Sequence, residues 1–256
     1  EKIAQVRYAG GLAAQQDVIR AQVEQTSMRN ELIALETEHH HLMTRMNALL
    51  GRSVNSPLAM PEALRPLPAP AKLDYASLEE RARARNPMLS AEEHRIKAAE
   101  KSRDLAYKNR YPDLTVGVVP NQMQNEVKQW DLMFEINIPL QQSSRRAQER
   151  EAEAMVSASR AKRDGTSNQL LADLSANLSE LEAARRTERL TTDSLLPQAE
   201  LTMKAALAGY ETGKVDFATL LDAQRQIRQA KLNQIKSRAE AQVRLAEIER
   251  ILGEDL

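Results

Sequence analysis

The sequence predicts a mainly α-helical fold, built of long antiparallel coiled-coil helical hairpins of the α-barrel type with one short β-hairpin. Three observations lead there. A segment occurs twice without a gap, residues 8–51 lying over residues 210–253 at an offset of 202 positions. Charged residues make up 28% and aromatics only 3%, the balance of long helices and not of a compact aromatic core. Trp130 to Ile138 alternates strictly between apolar and other residues, the period of a strand with two different faces.

The repeat sets the organisation. Tyr8/Tyr210, Gly11/Gly213, Ala21/Ala223, Leu50/Leu252 and Gly51/Gly253 match, with one Gln, one Ile and one Glu pair between them. Each copy reads as a Tyr-x-x-Gly turn at Gly11 or Gly213, then one long helix stopped by a hydrophobic-Leu-Gly at its C-cap. A duplicated unit is therefore the first fact about the fold. Copy two has its own lead-in with a strand pair at 112–140. The equivalent strands of copy one would fall before residue 1, so the chain reads as truncated at the N-terminus, the later part of a longer protein.

Composition narrows the function classes. Lys plus Arg and Asp plus Glu number 36 each, so no basic field points to nucleic acid. The chain has no cysteine, which removes disulfides, zinc–thiolate sites and cysteine nucleophiles. No run of 18 apolar residues offers a transmembrane helix.

The elements follow in order. Residues 1–51 are the end of a first helical repeat, with a helix over 15–50 whose first turn carries Asp17 where a carboxylate suits the helix dipole. Residues 52–72 hold five of the ten prolines and form an extended linker. Residues 73–111 carry two short helices, the second opened by Asn86 as N-cap with Pro87 at the first helical position and stopped at Pro112. Residues 112–140 form the hairpin: a weaker strand over 114–118, a polar loop over 120–129, then the alternating strand. Residues 141–256 are the second helical repeat. Its outgoing helix, about 65 residues or about 100 Å long, has Leu170, Leu174, Leu178 and Leu181 at seam spacing, and Gly165 and Pro197 as expected interruptions. Such hairpins have no globular core and must bury their seams against neighbours.

On the strand, Trp130, Leu132, Phe134, Ile136 and Ile138 share one face, against Asp131, Met133, Glu135 and Asn137. Nine to eleven alternating residues also match one bilayer crossing by a tilted strand, so this face is expected to meet lipid. His39-His40-His41 invites a metal reading, but successive helical residues point about 100° apart and cannot converge on one ion. Met43, Met46, Met123 and Met133 read as packing. No nucleophile triad, phosphate loop or carboxylate pair is present, so no enzyme, cofactor or metal centre is expected.

The segments Leu195-Leu-Pro197, Gly209-Tyr-Glu-Thr-Gly-Lys-Val-Asp-Phe217 and Leu220-Leu-Asp-Ala-Gln224 resemble the second repeat of the TolC-like outer-membrane efflux proteins. Tyr8-Ala-Gly-Gly11 with Asp17 resembles their first repeat, and Asn86-Pro87 and Tyr111-Pro112-Asp113 sit where such proteins have them. Asn47-Ala-Leu-Leu-Gly51 and the long proline linker look closest to the heavy-metal, CusC/CzcC-like branch. The resemblance implies a trimer in the outer membrane and periplasm of a Gram-negative bacterium. Its strands would close a barrel in outer-membrane lipid and its helices would line a periplasmic tunnel. The implied function is a passive exit duct of a tripartite system, fed by a periplasmic adaptor and an inner-membrane RND-type pump, with heavy-metal cations as substrate.

The resemblance also implies site roles. Asp222 matches the aspartate that rings the narrow periplasmic mouth, against the plainer reading of a solvated first-turn acid. Asp17 and Tyr210 match a pair that latches the two repeat turns, the carboxylate accepting the phenol hydrogen. Two other classes stay open at this point: a periplasmic adaptor, which would need β-domains flanking its hairpin, and a soluble coiled-coil scaffold, which would have no use for the 130–138 strand.

Overall fold

The computed structural model describes residues 2–61, 63–123, 126–138, 140 and 142–256. Among the described residues seven α-helices and two strands run in the order α1 (Lys2–Ala9), α2 (Gln15–Leu49), α3 (Tyr75–Arg85), α4 (Pro87–Lys108), β1 (Asp113–Met123), β2 (Glu126–Asn137), α5 (Gln142–Leu190), α6 (Leu196–Glu211) and α7 (Phe217–Leu252). Mainly α with a single antiparallel hairpin is the class the sequence pattern predicts. No described helix is long and apolar enough to cross a membrane.

Glycine ends four of the helices. Gly11, Gly51, Gly213 and Gly253 all sit at positive φ, between 64° and 74°, where a Cβ would be strained. The two repeat turns close alike: Leu12 N–H donates to Arg7 O and Lys214 N–H to Gly209 O, both at 2.8 Å. The glycine of each Tyr-x-x-Gly therefore terminates the incoming helix, α1 or α6, before the long helix starts.

Contacts group the chain into two units. One comprises residues 1–67 and 179–245. Its cluster of buried residues is Ala4, Ala21, Ala206, Tyr210, Phe217, Leu220 and Ala223, with Val18, Met203 and Val215 packed against it. Small residues dominate because the helices approach closely, and the two aromatics fill the space at the turn. The proline segment in this unit is fastened: Asn47 Nδ2 donates to Val54 O (3.0 Å) and Ser56 O (2.9 Å), and Gln242 Nε2 donates to Arg65 O (2.6 Å). Here too lies a five-residue π-turn, Thr191–Leu195, directly before Pro197. Proline cannot donate to the preceding turn, and a wider turn accommodates the loss without breaking the helix. Gly165, by contrast, passes through α5 without interruption.

The other unit comprises residues 68–178 and 246–256. Leu78, Leu89, Leu174, Ile248 and Leu252 are among its buried residues. Asn86 caps α4 through Oδ1, which accepts from Met88 N–H (2.8 Å) and Leu89 N–H (3.2 Å). Its Nδ2 donates to Ile251 O at 2.7 Å, and Glu254 pairs with Arg81 and Arg85, so the last turn of α7 is pinned to the α3–α4 junction. At the base of the hairpin Arg110 forks onto Glu149 and lies 5.1 Å from the Tyr107 ring. That guanidinium holds the Glu149 carboxyl below the usual range.

The strands pair antiparallel, with Val116 opposite Phe134, Leu114 opposite Ile136 and Val118 opposite Leu132. They run further than the sequence suggested. The segment 120–129, expected as a loop, is strand except for residues 124–125, which lie outside the described residues. Ladder bonds are made by the backbone and are indifferent to the polarity of the side chains, and the pairing continues past one register shift at Asn121/Gln122.

Candidate functional site

The two duplicated turns meet in the first unit, and the chemistry gathers there. Tyr210, the last turn of α6, is 3% exposed, while its repeat partner Tyr8 is 46% exposed. The Tyr210 ring meets Phe217 edge-on at 5.5 Å, and the Arg7 guanidinium stands 4.8 Å over its face. Burial pushes the phenol up from its ordinary value, and the Asp17 carboxylate adds to that shift while Arg7 opposes it. Asp17, half-buried in the first turn of α2, is thus close enough to Tyr210 to act on it electrostatically. The Tyr210 hydroxyl is buried and makes no well-formed hydrogen bond among the described residues.

Arg7 spans both turns. Its Nη1 donates to Glu211 O at 2.6 Å and its Nη2 to Leu12 O at 3.2 Å. The start of α7 is set by Asp216, whose Oδ1 accepts from Thr219 N–H (2.9 Å) and Thr219 Oγ1 (2.6 Å). The Thr219 hydroxyl and amide hold the Asp216 carboxyl below its usual range.

In the second turn of α7, Asp222 is exposed, its Oδ1 3.7 Å from Arg225 Nη1. Arg225 is engaged elsewhere: Nη2 and Nε reach Glu24 Oε2 of α2 at 2.7 and 3.2 Å. Arg228 lies 3.7 Å from Glu24 and 3.2 Å from Glu31. Glu24 is buried, and its hydrogen bond from Arg225 keeps the carboxyl below the ordinary glutamate value. Asp222 is left as the least encumbered acid of the group, facing solvent.

Sequence reasoning did not single out Arg7, Glu24, Arg225 or Asp216. A signal existed for two of them. Arg7 stands at the repeat position where copy two has Gly209, and Glu24 falls one turn after Ala21 on the buried stripe of α2. The strand residues lie in the other unit. Leu114, Val116, Val118, Trp130, Leu132, Phe134 and Ile136 share one face and are each 59–73% exposed. Ile138, just past β2, is also exposed. Among the described residues no cluster of three metal-ligating side chains exists, and His39, His40 and His41 lie exposed along α2.

Outer membrane efflux proteins share the pattern of residues 78–254. The chain belongs to the outer membrane efflux protein family. That family places it at the Gram-negative outer membrane and periplasm. The cobalt-zinc-cadmium resistance protein CzcC of Cupriavidus metallidurans is 26% identical over 251 residues, covering 96% of this chain and 58% of that protein. The efflux-family fold recurs in the channel CusC (TM-score 0.84, 18% identity, 99% of this chain and 60% of that one). VceC of Vibrio cholerae gives 0.83 at 19% identity, covering 99% and 62%. The outer-membrane channel OprN gives 0.82 at 20% identity, covering 98% and 58%. The chain spans roughly three-fifths of the length of these relatives.

Proposed function

We propose that this chain contributes the end of the first repeat and the second repeat to a passive exit duct in the outer membrane, a homotrimer that carries heavy-metal cations out of the periplasm. The observation that carries the reading is the uncovered apolar face of the β-hairpin. A two-stranded hairpin is marginal in water, and seven large apolar side chains on one face would make it worse. Lipid on that face and a closed ring of further strands on its edges remove both costs. Neither a periplasmic adaptor nor a soluble scaffold accounts for such a face.

The gate belongs to the paired turns. Three copies of Asp222 around a three-fold axis would form a carboxylate ring that attracts cations. Asp17 and Tyr210, with Gly11 and Gly213 shaping the turns, would set how far the second-repeat hairpin leans toward the axis. A periplasmic adaptor and an RND-type pump would deliver the substrate, and no catalytic step is required of the duct. The metal substrate is supported by the likeness to a cobalt-zinc-cadmium resistance protein. The test is metal content in a strain lacking the gene, loaded with Co, Zn or Cd. Restored low content on complementation is expected. Complementation that lowers an organic dye but leaves metal content as in the deletion strain would reject the metal substrate.

A further inference from the structure

The repeat has diverged at one position that matters. Where copy two has Gly209, copy one has Arg7. Gly209 leaves the second turn tight: a Cβ there would lie 3.0 Å from Val215 Cγ2. The arginine of the first copy does the opposite and reaches out. Its two Nη groups end on backbone carbonyls of different turns, Leu12 O in its own and Glu211 O in the other. Its Cζ stands 4.8 Å over the Tyr210 ring, and its Nε is buried with no acceptor among the described residues. Nη2 also lies where a Cβ on Gly213 would meet it at 3.6 Å. A planar fork suits two acceptors and a ring face at once, which a lysine ammonium does not.

We propose that Arg7 is the positioning residue of the gate, a single clasp that fastens the first-repeat turn to the second-repeat turn and so sets the resting aperture at Asp222. This rests on the gate reading above. The asymmetry is in the sequence: only copy one carries the arginine, and copy two has Gly209 at the equivalent position. Because the bond is to the Glu211 backbone, the Glu211 carboxylate is not part of it.

The test uses the full-length protein in its membrane assembly, with hydrogen exchange and planar-bilayer recording on Arg7→Gln, Arg7→Lys, Glu211→Gln and Asp222→Ala. Loss of two charge-assisted bonds predicts exchange about 10- to 100-fold faster at the Thr212–Val215 amides in Arg7→Gln. The Ala241–Leu245 amides of α7 should keep wild-type exchange, which shows the variant folded. The open fraction should rise with the same variant, Arg7→Lys should fail to restore either readout, and Glu211→Gln should match wild type. Unchanged exchange in Arg7→Gln, or full rescue by lysine, overturns the clasp. Faster exchange with an unchanged open fraction overturns its role in setting the aperture. If Asp222→Ala alters conductance in that case, the clasp proposal alone has failed; if it too leaves conductance unchanged, the gate reading has failed with it.

Discussion

Gly209→Ala probes the second repeat turn with a magnitude that follows from the coordinates. The added Cβ would stand 3.0 and 3.2 Å from the two γ-carbons of Val215 and 3.6 Å from its Cβ. Carbon atoms rest at about 3.5–4.0 Å, so both contacts are repulsive. Val215 has little room to yield: its amide lies 3.3 Å from Gly209 O, its χ1 is stiff, and its side chain packs on the Tyr210–Phe217 cluster. Overpacking of this kind costs about 1–3 kcal/mol. Against it, alanine gains up to about 1 kcal/mol over glycine in a helix, and less in a last turn. The net expectation is destabilisation of the turn by about 1 kcal/mol. Val215→Ala removes the clashing methyls, so the double variant should recover, with a coupling of about 1–2 kcal/mol. Native-state hydrogen exchange at the Thr212–Val215 amides reads this local opening directly. Additive single effects, within about 0.5 kcal/mol, would refute the steric argument.

Glu24→Gln leaves Arg225 and Arg228 without the buried carboxylate between them and should loosen α2 from α7. With Arg225 about half exposed, the cost is set at about 1–3 kcal/mol, below that of a fully buried pair. Because the Glu24 carboxyl is held below its ordinary value of 4.5, its stabilisation is complete above about pH 4.5 and is lost as pH falls through the folded value. A spin-label distance between α2 and α7 should widen in that acid window in wild type and be insensitive to it in Glu24→Gln; identical acid responses would remove Glu24 from the linkage. On the hairpin, Phe134→Arg should cost about 2–4 kcal/mol if the residue sits near the bilayer midplane, while Glu135→Arg on the opposite face should cost far less. The yield of each in the outer-membrane fraction decides it, and equal yields would remove the lipid-facing assignment.

The backbone punctuation of this chain is legible in its residues. Glycine at four helix ends, Asn86-Pro87 at the start of α4 and the alternation through Trp130–Ile138 each have a local cause, and each appears where that cause places it. Leu170, Leu174 and Leu181, chosen by spacing, are buried, while Leu178 is half-buried. Side-chain partnerships between distant segments were not legible. Arg7 and Glu211 lie 204 positions apart, and Glu24 and Arg225 lie 201 apart, so no local period encodes them. Long-range electrostatic pairs are fixed by which helix faces which, and that follows only from the packed turns. The π-turn before Pro197 was half legible: the proline marked an interruption, but its form as a widened turn over Thr191–Leu195 has no signal in the local residue pattern.

In the proposed duct, a carboxylate ring at the paired turns would govern passage. Single-channel recording of the full-length protein, wild type against Asp222→Ala, tests it most directly. Removing three like charges should raise the resting conductance and lower the preference for cations over anions, because such a ring would attract cations and sit at the constriction. Unchanged conductance and unchanged selectivity would make Asp222 a solvated acid on the surface of α7 and contradict the account.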